Sequence, residues 1–65
     1  MDTIYTVIKI AMDKHGDHVL ATTEKAFRTH EQAEIYMRSV PALWEESIQG
    51  MECSCERAIH ITPLE

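Results

Sequence analysis

The side chains able to ligate a metal or attack an electrophile are His15, His18, His30, His60, Cys53 and Cys55. Structural zinc sites take four nitrogen or sulfur ligands, and their cysteines usually come as pairs separated by two to four residues. Cys53-Ser54-Cys55 leaves one residue between its thiols, so the spacing is wrong for such a pair. Nucleophilic catalysis needs a cysteine or serine beside a base that a third group orients. Cys53 or Cys55 with His60 is the one combination to weigh. On an extended strand, positions 53 and 55 share a face and position 60 lies on the other, so thiol and imidazole do not meet. Glu45 and Glu46 are a weak carboxylate pair, because neighbours on a helix point about 100° apart. There is no glycine-rich phosphate loop. We expect no catalytic residues, no metal, no cofactor and no enzyme.

Composition narrows the partners. Eleven acidic and six basic residues give a net charge of −5. Binding to DNA or RNA draws its affinity from Lys and Arg neutralising phosphates, so direct nucleic-acid binding is not expected. The chain is 45% hydrophobic over 65 residues, which fits one globular domain with a small core. No basic segment followed by an apolar run opens the sequence, and no apolar stretch approaches the ~20 residues that cross a bilayer. Two thiols so close on a strand do not bridge well, so reduced cysteines and a cytoplasmic location are expected. Leu64-Glu65 resembles residues left by a cloning site before a tag, which puts the domain at 1–63.

The elements follow from local chemistry. Thr3 to Met12 is rich in β-branched and aromatic residues, a strand composition. Lys14-His15-Gly16-Asp17 is turn material, and His18 to Phe27 reads as the returning strand. With His15-Gly16 at the tip, Lys14 faces Asp17, Met12 faces Val19, Ile10 faces Ala21, Ile8 faces Thr23, Thr6 faces Lys25 and Ile4 faces Phe27. Ile4, Ile8, Ile10, Met12, Val19, Ala21 and Phe27 then share one face. Tyr5, Val7, Lys9, Leu20 and Glu24 share the other.

Thr29 and Gln32 form a capping-box pattern, and Ala33, Tyr36, Met37 and Val40 give one apolar helical stripe. Pro41 either stops this helix, opening a second at its own position, or kinks it. Trp44, Ile48 and Met51 continue at i, i+4 and i+7, and Gly50 supplies a helix stop. Met51 to Thr62 alternates: Met51, Cys53, Cys55, Ile59 and Ile61 on one side, with Arg57 the exception, and Glu52, Ser54, Glu56, Ala58, His60 and Thr62 on the other. The expected fold is α+β: a three-stranded antiparallel sheet of order 2-1-3, with one bent or split helix over about 29–49 covering the isoleucine face.

Phe27-Arg28-Thr29-His30-Glu31-Gln32-Ala33-Glu34 resembles the helix start of small bacterial and phage-encoded β-β-α-β domains. The resemblance implies a fold and a prokaryotic or phage source and transfers no functional residue; an accessory protein of a phage or mobile element is the setting expected for the function below.

The expected function is a small protein-interaction module that binds an unidentified protein, or a second copy of itself, through the uncovered sheet face or an edge strand. Tyr5, Val7, Leu20 and His60 on that face, and Ile35 off the helix stripe, are the expected interface residues. Two alternatives stand beside it. One is a metal- or redox-responsive protein using Cys53 and Cys55. The other is an acidic nucleic-acid mimic displaying Glu24, Glu31, Glu34, Glu45, Glu46, Glu52 and Glu56.

Overall fold

The computed structural model describes residues 2–64. Five elements run in the order β1 (Asp2–Met12), β2 (His18–Phe27), α1 (His30–Ser39), β3 (Leu43–Ile48) and β4 (Met51–Leu64). They form one four-stranded sheet of order β2-β1-β4-β3 with a single helix on it. Every pairing is antiparallel.

This corrects the expected three-stranded sheet of order 2-1-3. The segment expected to extend the helix to about residue 49 is instead β3, hydrogen-bonded along the outer edge of β4. Trp44 and Ile48 are four apart, a spacing that fits both one helical turn and two strand repeats. The turn decides between them. Gln49 has φ 51° and Gly50 φ 79°, while Ile48 pairs directly with Met51. Two consecutive positive φ values are the mark of a two-residue type I′ hairpin. Gly50 is therefore a hairpin glycine, not a helix stop.

The helix ends early for the reason Pro41 gives: it disfavours helical backbone at Val40, which is extended at φ −129°, ψ 157°. At the other end the Thr29 hydroxyl accepts from Gln32 N at 3.2 Å. Ten residues are too few to hold a helix in water without tertiary packing. Ala33 supplies that packing with 0% exposure, and Tyr36, Met37 and Val40 are half-buried beside it.

The β1–β2 hairpin is wound around Asp13. Its carboxylate accepts from His15 N at 2.9 Å and Asp17 N at 3.0 Å, and its carbonyl accepts from Gly16 N. The symmetric register holds from Ile8↔Thr23 to Ala11↔Leu20, then breaks at each end. Between Val7 and Ile8 the extra residue is Glu24; between Ala11 and Met12 it is Val19. Beyond the first break Val7 faces Lys25 and Tyr5 faces Phe27.

The covered side of the sheet is also the reverse of the one expected. The helix lies over Tyr5 and Val7: the Tyr5 and His30 rings meet edge-on at 5.5 Å, Phe27 and Tyr36 rings at 5.6 Å, and Val7 is 0% exposed. Residues directly opposite in a sheet share a face. Val7↔Ile59, Lys9↔Arg57 and Ala11↔Cys55 therefore join the odd positions of β1 to the odd positions of β4 on the helix side. Ile4, Ile8, Ile10 and Met12 are left on the other.

In the Gln49-Gly50 hairpin, Gln49→Asn relieves an unfavourable positive φ and completes the preferred Asn-Gly turn. Thermal unfolding is expected to show a gain of about 0.5–1 kcal/mol. A loss of that size would show that position 49 gains nothing from a residue suited to positive φ.

Candidate protein-docking face

The helix side is closed by small residues and by a charge network. Ala11, Cys53 and Cys55 form a buried floor, and Trp44 and Ile48 from the edge strand pack against it. Next to them β1 and β4 place Lys9 and Arg57 opposite each other. Two cations on a covered face need carboxylates, and each has one. Lys9 Nζ reaches Glu46 at 2.9 Å, and Arg57 Nε reaches both Glu24 oxygens at 2.9 and 3.1 Å.

Alternation from Leu20 and Thr22 puts the Glu24 carboxylate on the helix side, where it also accepts from the Tyr36 hydroxyl. The Arg57 guanidinium donates to the Pro41 carbonyl and lies 4.1 Å from the centre of the Trp44 ring. Trp44 Nε1 donates to Glu46 at 3.2 Å. One arginine thus ties β2, β4 and the 40–42 linker into one body.

The ionisation of these groups follows. Hydrogen bonds from Arg57 and then Tyr36 hold the Glu24 carboxyl below its ordinary value, and the same bond raises Arg57. Glu24 as acceptor raises the Tyr36 hydroxyl. The Lys9 ammonium, followed by the Trp44 indole, depresses Glu46.

The other face carries no element among the described residues. Its centre is the Ile4, Ile8, Ile10 and Met12 row of β1, half-buried only by its strand neighbours. Ala21 and Ala58 flank this row in register, opposite Ile10 and Ile8 respectively. Leu43, paired with Glu56, extends the face at 75% exposure, and Val19 in the second bulge is 40% exposed.

The overall dimensions are those of an uncovered layer. The accessible surface is 4811 Å², against about 4,200 Å² for a compact monomer of 7.5 kDa. The radius of gyration is 13.2 Å, against about 11 Å for a compact domain of this length. Domains are normally built of at least two packed layers; here the second layer is a single ten-residue helix that covers part of one face.

The expected interface residues are scattered. Val7 is fully buried under the helix and Tyr5 half-buried beside it. Leu20 lies on the helix side at 37% exposure, beyond the helix. Ile35 is 56% exposed on α1, where it lines a groove together with Phe27 and Tyr36. His60 alone stands on the open face, opposite Thr6.

Sequence alternation alone expects Ile4, Ile8 and Ile10 beneath the helix and Leu43 within it, whereas the structure lines the open face with all four. One sequence signal pointed the right way. Arg57 shares a side with Cys53, Cys55 and Ile59, so that side must also present carboxylates, and Glu24 belongs to the Tyr5/Val7 set.

The thiols and imidazoles do not converge. Cys53 is 3% exposed and Cys55 2%, both unbridged. Burial, followed by the nearby Cys55 and Asp13, pushes the Cys53 thiol up. No group of three or more His, Cys, Asp or Glu is placed to hold a metal among the described residues. The seven carboxylates named above are also divided. Glu24 and Glu46 are paired on the helix side, Glu31 and Glu34 lie on α1, and Glu45, Glu52 and Glu56 point to the open face. Among the described residues no helix is long and apolar enough to cross a membrane.

No family model, no curated protein and no solved structure matches the chain.

Arg57→Ala is expected to cost about 2 kcal/mol, because it removes packing from Trp44 and leaves Glu24 unpaired. Tryptophan emission should shift to the red at the same time. Because the Glu24 value is depressed on folding, its contribution is present above the ordinary carboxylate pKa and lost as pH falls through the folded one. Unfolding measured from pH 6 to pH 3 should therefore lose stability less steeply in Glu24→Gln than in the parent. A second measurement concerns the thiols: a thiol reagent at neutral pH should label Cys53 and Cys55 only at the rate of unfolding.

Proposed function

We propose that this chain is a small docking domain that binds another protein through the open, isoleucine-lined face of its sheet. The observation that carries the reading is the placement of Ile4, Ile8 and Ile10 on a sheet face that no described element covers. Only Val7, Ala11, Ala33, Cys53 and Cys55 are fully buried among the described residues. A core of that size supplies little net stability to a domain of this length. Covering the row of isoleucines would add the missing apolar burial at about 25 cal/mol per Å². The domain as a whole extends 42 by 25 by 16 Å along its principal axes, and a standard protein interface takes about 800 Å² from each side.

The domain binds rather than catalyses in this reading, since its thiols are sealed and its imidazoles apart. Two unbridged cysteines are compatible with a reducing compartment, so the reading includes a cytoplasmic location. The likeness of residues 27–34 to phage-encoded domains supports an accessory role in a phage or mobile element.

Association and capture test it together. Light scattering on wild type and Ile8→Lys across micromolar concentrations reads self-association. Capture from a host extract with wild type, Ile8→Lys and Ile35→Lys as baits reads other partners. The expected result is a partner held by wild type and Ile35→Lys and lost from Ile8→Lys. Partners or dimers indifferent to Ile8→Lys would remove the open face from the function.

A further inference from the structure

The two faces of the sheet differ in charge as well as in cover. On the helix side Lys9 and Arg57 are neutralised by Glu46 and Glu24. Lys25 also lies on that side, with its ammonium 5.6 Å from the Tyr36 ring centre. Lys14 is in the hairpin turn, Arg28 follows β2, and Arg38 is on α1. No lysine or arginine therefore stands on the open face among the described residues.

Acids do stand there. Register places Glu45 opposite Ser54, Glu52 opposite Ser47 and Glu56 opposite Leu43, all pointing away from the helix. None of the three takes part in an ion pair among the described residues. The face is thus an aliphatic row on β1 with an anionic border along β3 and β4, and nothing cationic in between.

That pattern selects among occupants. We propose that the open face receives a cationic amphipathic helix of another protein: an apolar stripe against Ile4, Ile8 and Ile10, with Lys or Arg beside Glu45 and Glu56. A helix laid on a sheet is the layer arrangement this chain already uses on its other side. About 18 residues of helix span about 27 Å, within the 42 Å length of the domain.

A second copy fits less well. A two-fold that lays β1 over β1 sets each anionic border either over the border of the other copy, where like charges oppose association, or over β2, whose open-face Ala21, Thr23 and Ala26 offer it no cation. This inference rests on the docking reading given above and adds the chemistry of the partner.

The probes are three synthetic 18-residue helices with the same leucine stripe and polar positions filled by Lys, Gln or Glu. They are titrated into the full chain by calorimetry, with isoleucine methyl and backbone NMR shifts locating the site. The Lys peptide should bind at least tenfold tighter than the Glu peptide, with Gln between. The gap should narrow as salt rises from 50 to 500 mM. Shifts should gather at Ile4, Ile8, Ile10 and Glu56. Glu45→Lys with Glu56→Lys, both at exposed or rim positions that leave the core intact, should abolish the preference for Lys while the Gln peptide still binds.

Equal affinity for all three peptides at the open face would overturn the charge inference and leave the docking reading standing. A dimer broken by Ile8→Lys would do the same, with a second copy as occupant. Absence of binding by every peptide, or shifts confined to the helix side, would also overturn the inference. The docking reading itself falls only if Ile8→Lys changes neither capture nor association.

Discussion

The register between β1 and β4 is the constraint on which the rest depends. These are the two central strands, and each residue of one has a fixed partner on the other from Ile4↔Thr62 to Met12↔Ser54. Val7 opposite Ile59 and Ala11 opposite Cys55 put small and medium apolar groups under the helix and under Trp44. Lys9 opposite Arg57 puts two cations among them. A one-residue shift of β1 would turn its isoleucines to the helix side and send Lys9 to the open face, leaving Arg57 behind on the covered one. The structure keeps the cations inside and the isoleucines out, so the charge network and the bare aliphatic face are two results of one pairing.

Arg57 shows how the covered side tolerates this. A buried charge is costly unless it is paired and fully hydrogen-bonded. Its guanidinium has the Glu24 carboxylate, the Pro41 carbonyl and the Trp44 ring around it. Alternation along β2 puts Glu24 within reach, and the bulge beside it re-aims Lys25, which now faces Val7 on the same side. The same arginine fixes the linker that leads from α1 into β3, so the polar network also helps place the fourth strand. Small side chains at Ala11, Cys53 and Cys55 leave room for Trp44 and Ile48 to fold over them from the edge. No helix is needed at that end.

The open face gives the docking proposal its physical basis. A row of isoleucines half-covered by neighbouring strands is tolerable in water but gains from a second layer. The acidic border that accompanies it would keep copies of the domain apart while favouring a cationic partner. Burial supplies affinity in such an interface, and charge supplies selection.

Local chemistry alone settled a good part of the fold. The turn around Gly16, the Thr29 cap, the inward stripe of Ala33, Tyr36, Met37 and Val40 and the last strand were all legible in residue type and spacing, whereas Pro41 marked a break without telling a helix end from a bend. Two features were not. The stretch 43–48 carries Trp44 and Ile48 at a spacing shared by helix and strand, and its strand state depends on hydrogen bonds donated and accepted by β4. The side of β1 that faces inward was also undetermined, because alternation divides a strand into two faces without saying which one is covered. That choice belongs to non-local pairing: Lys9 and Arg57 had to reach Glu46 and Glu24, and only the assembled sheet brings those four residues together.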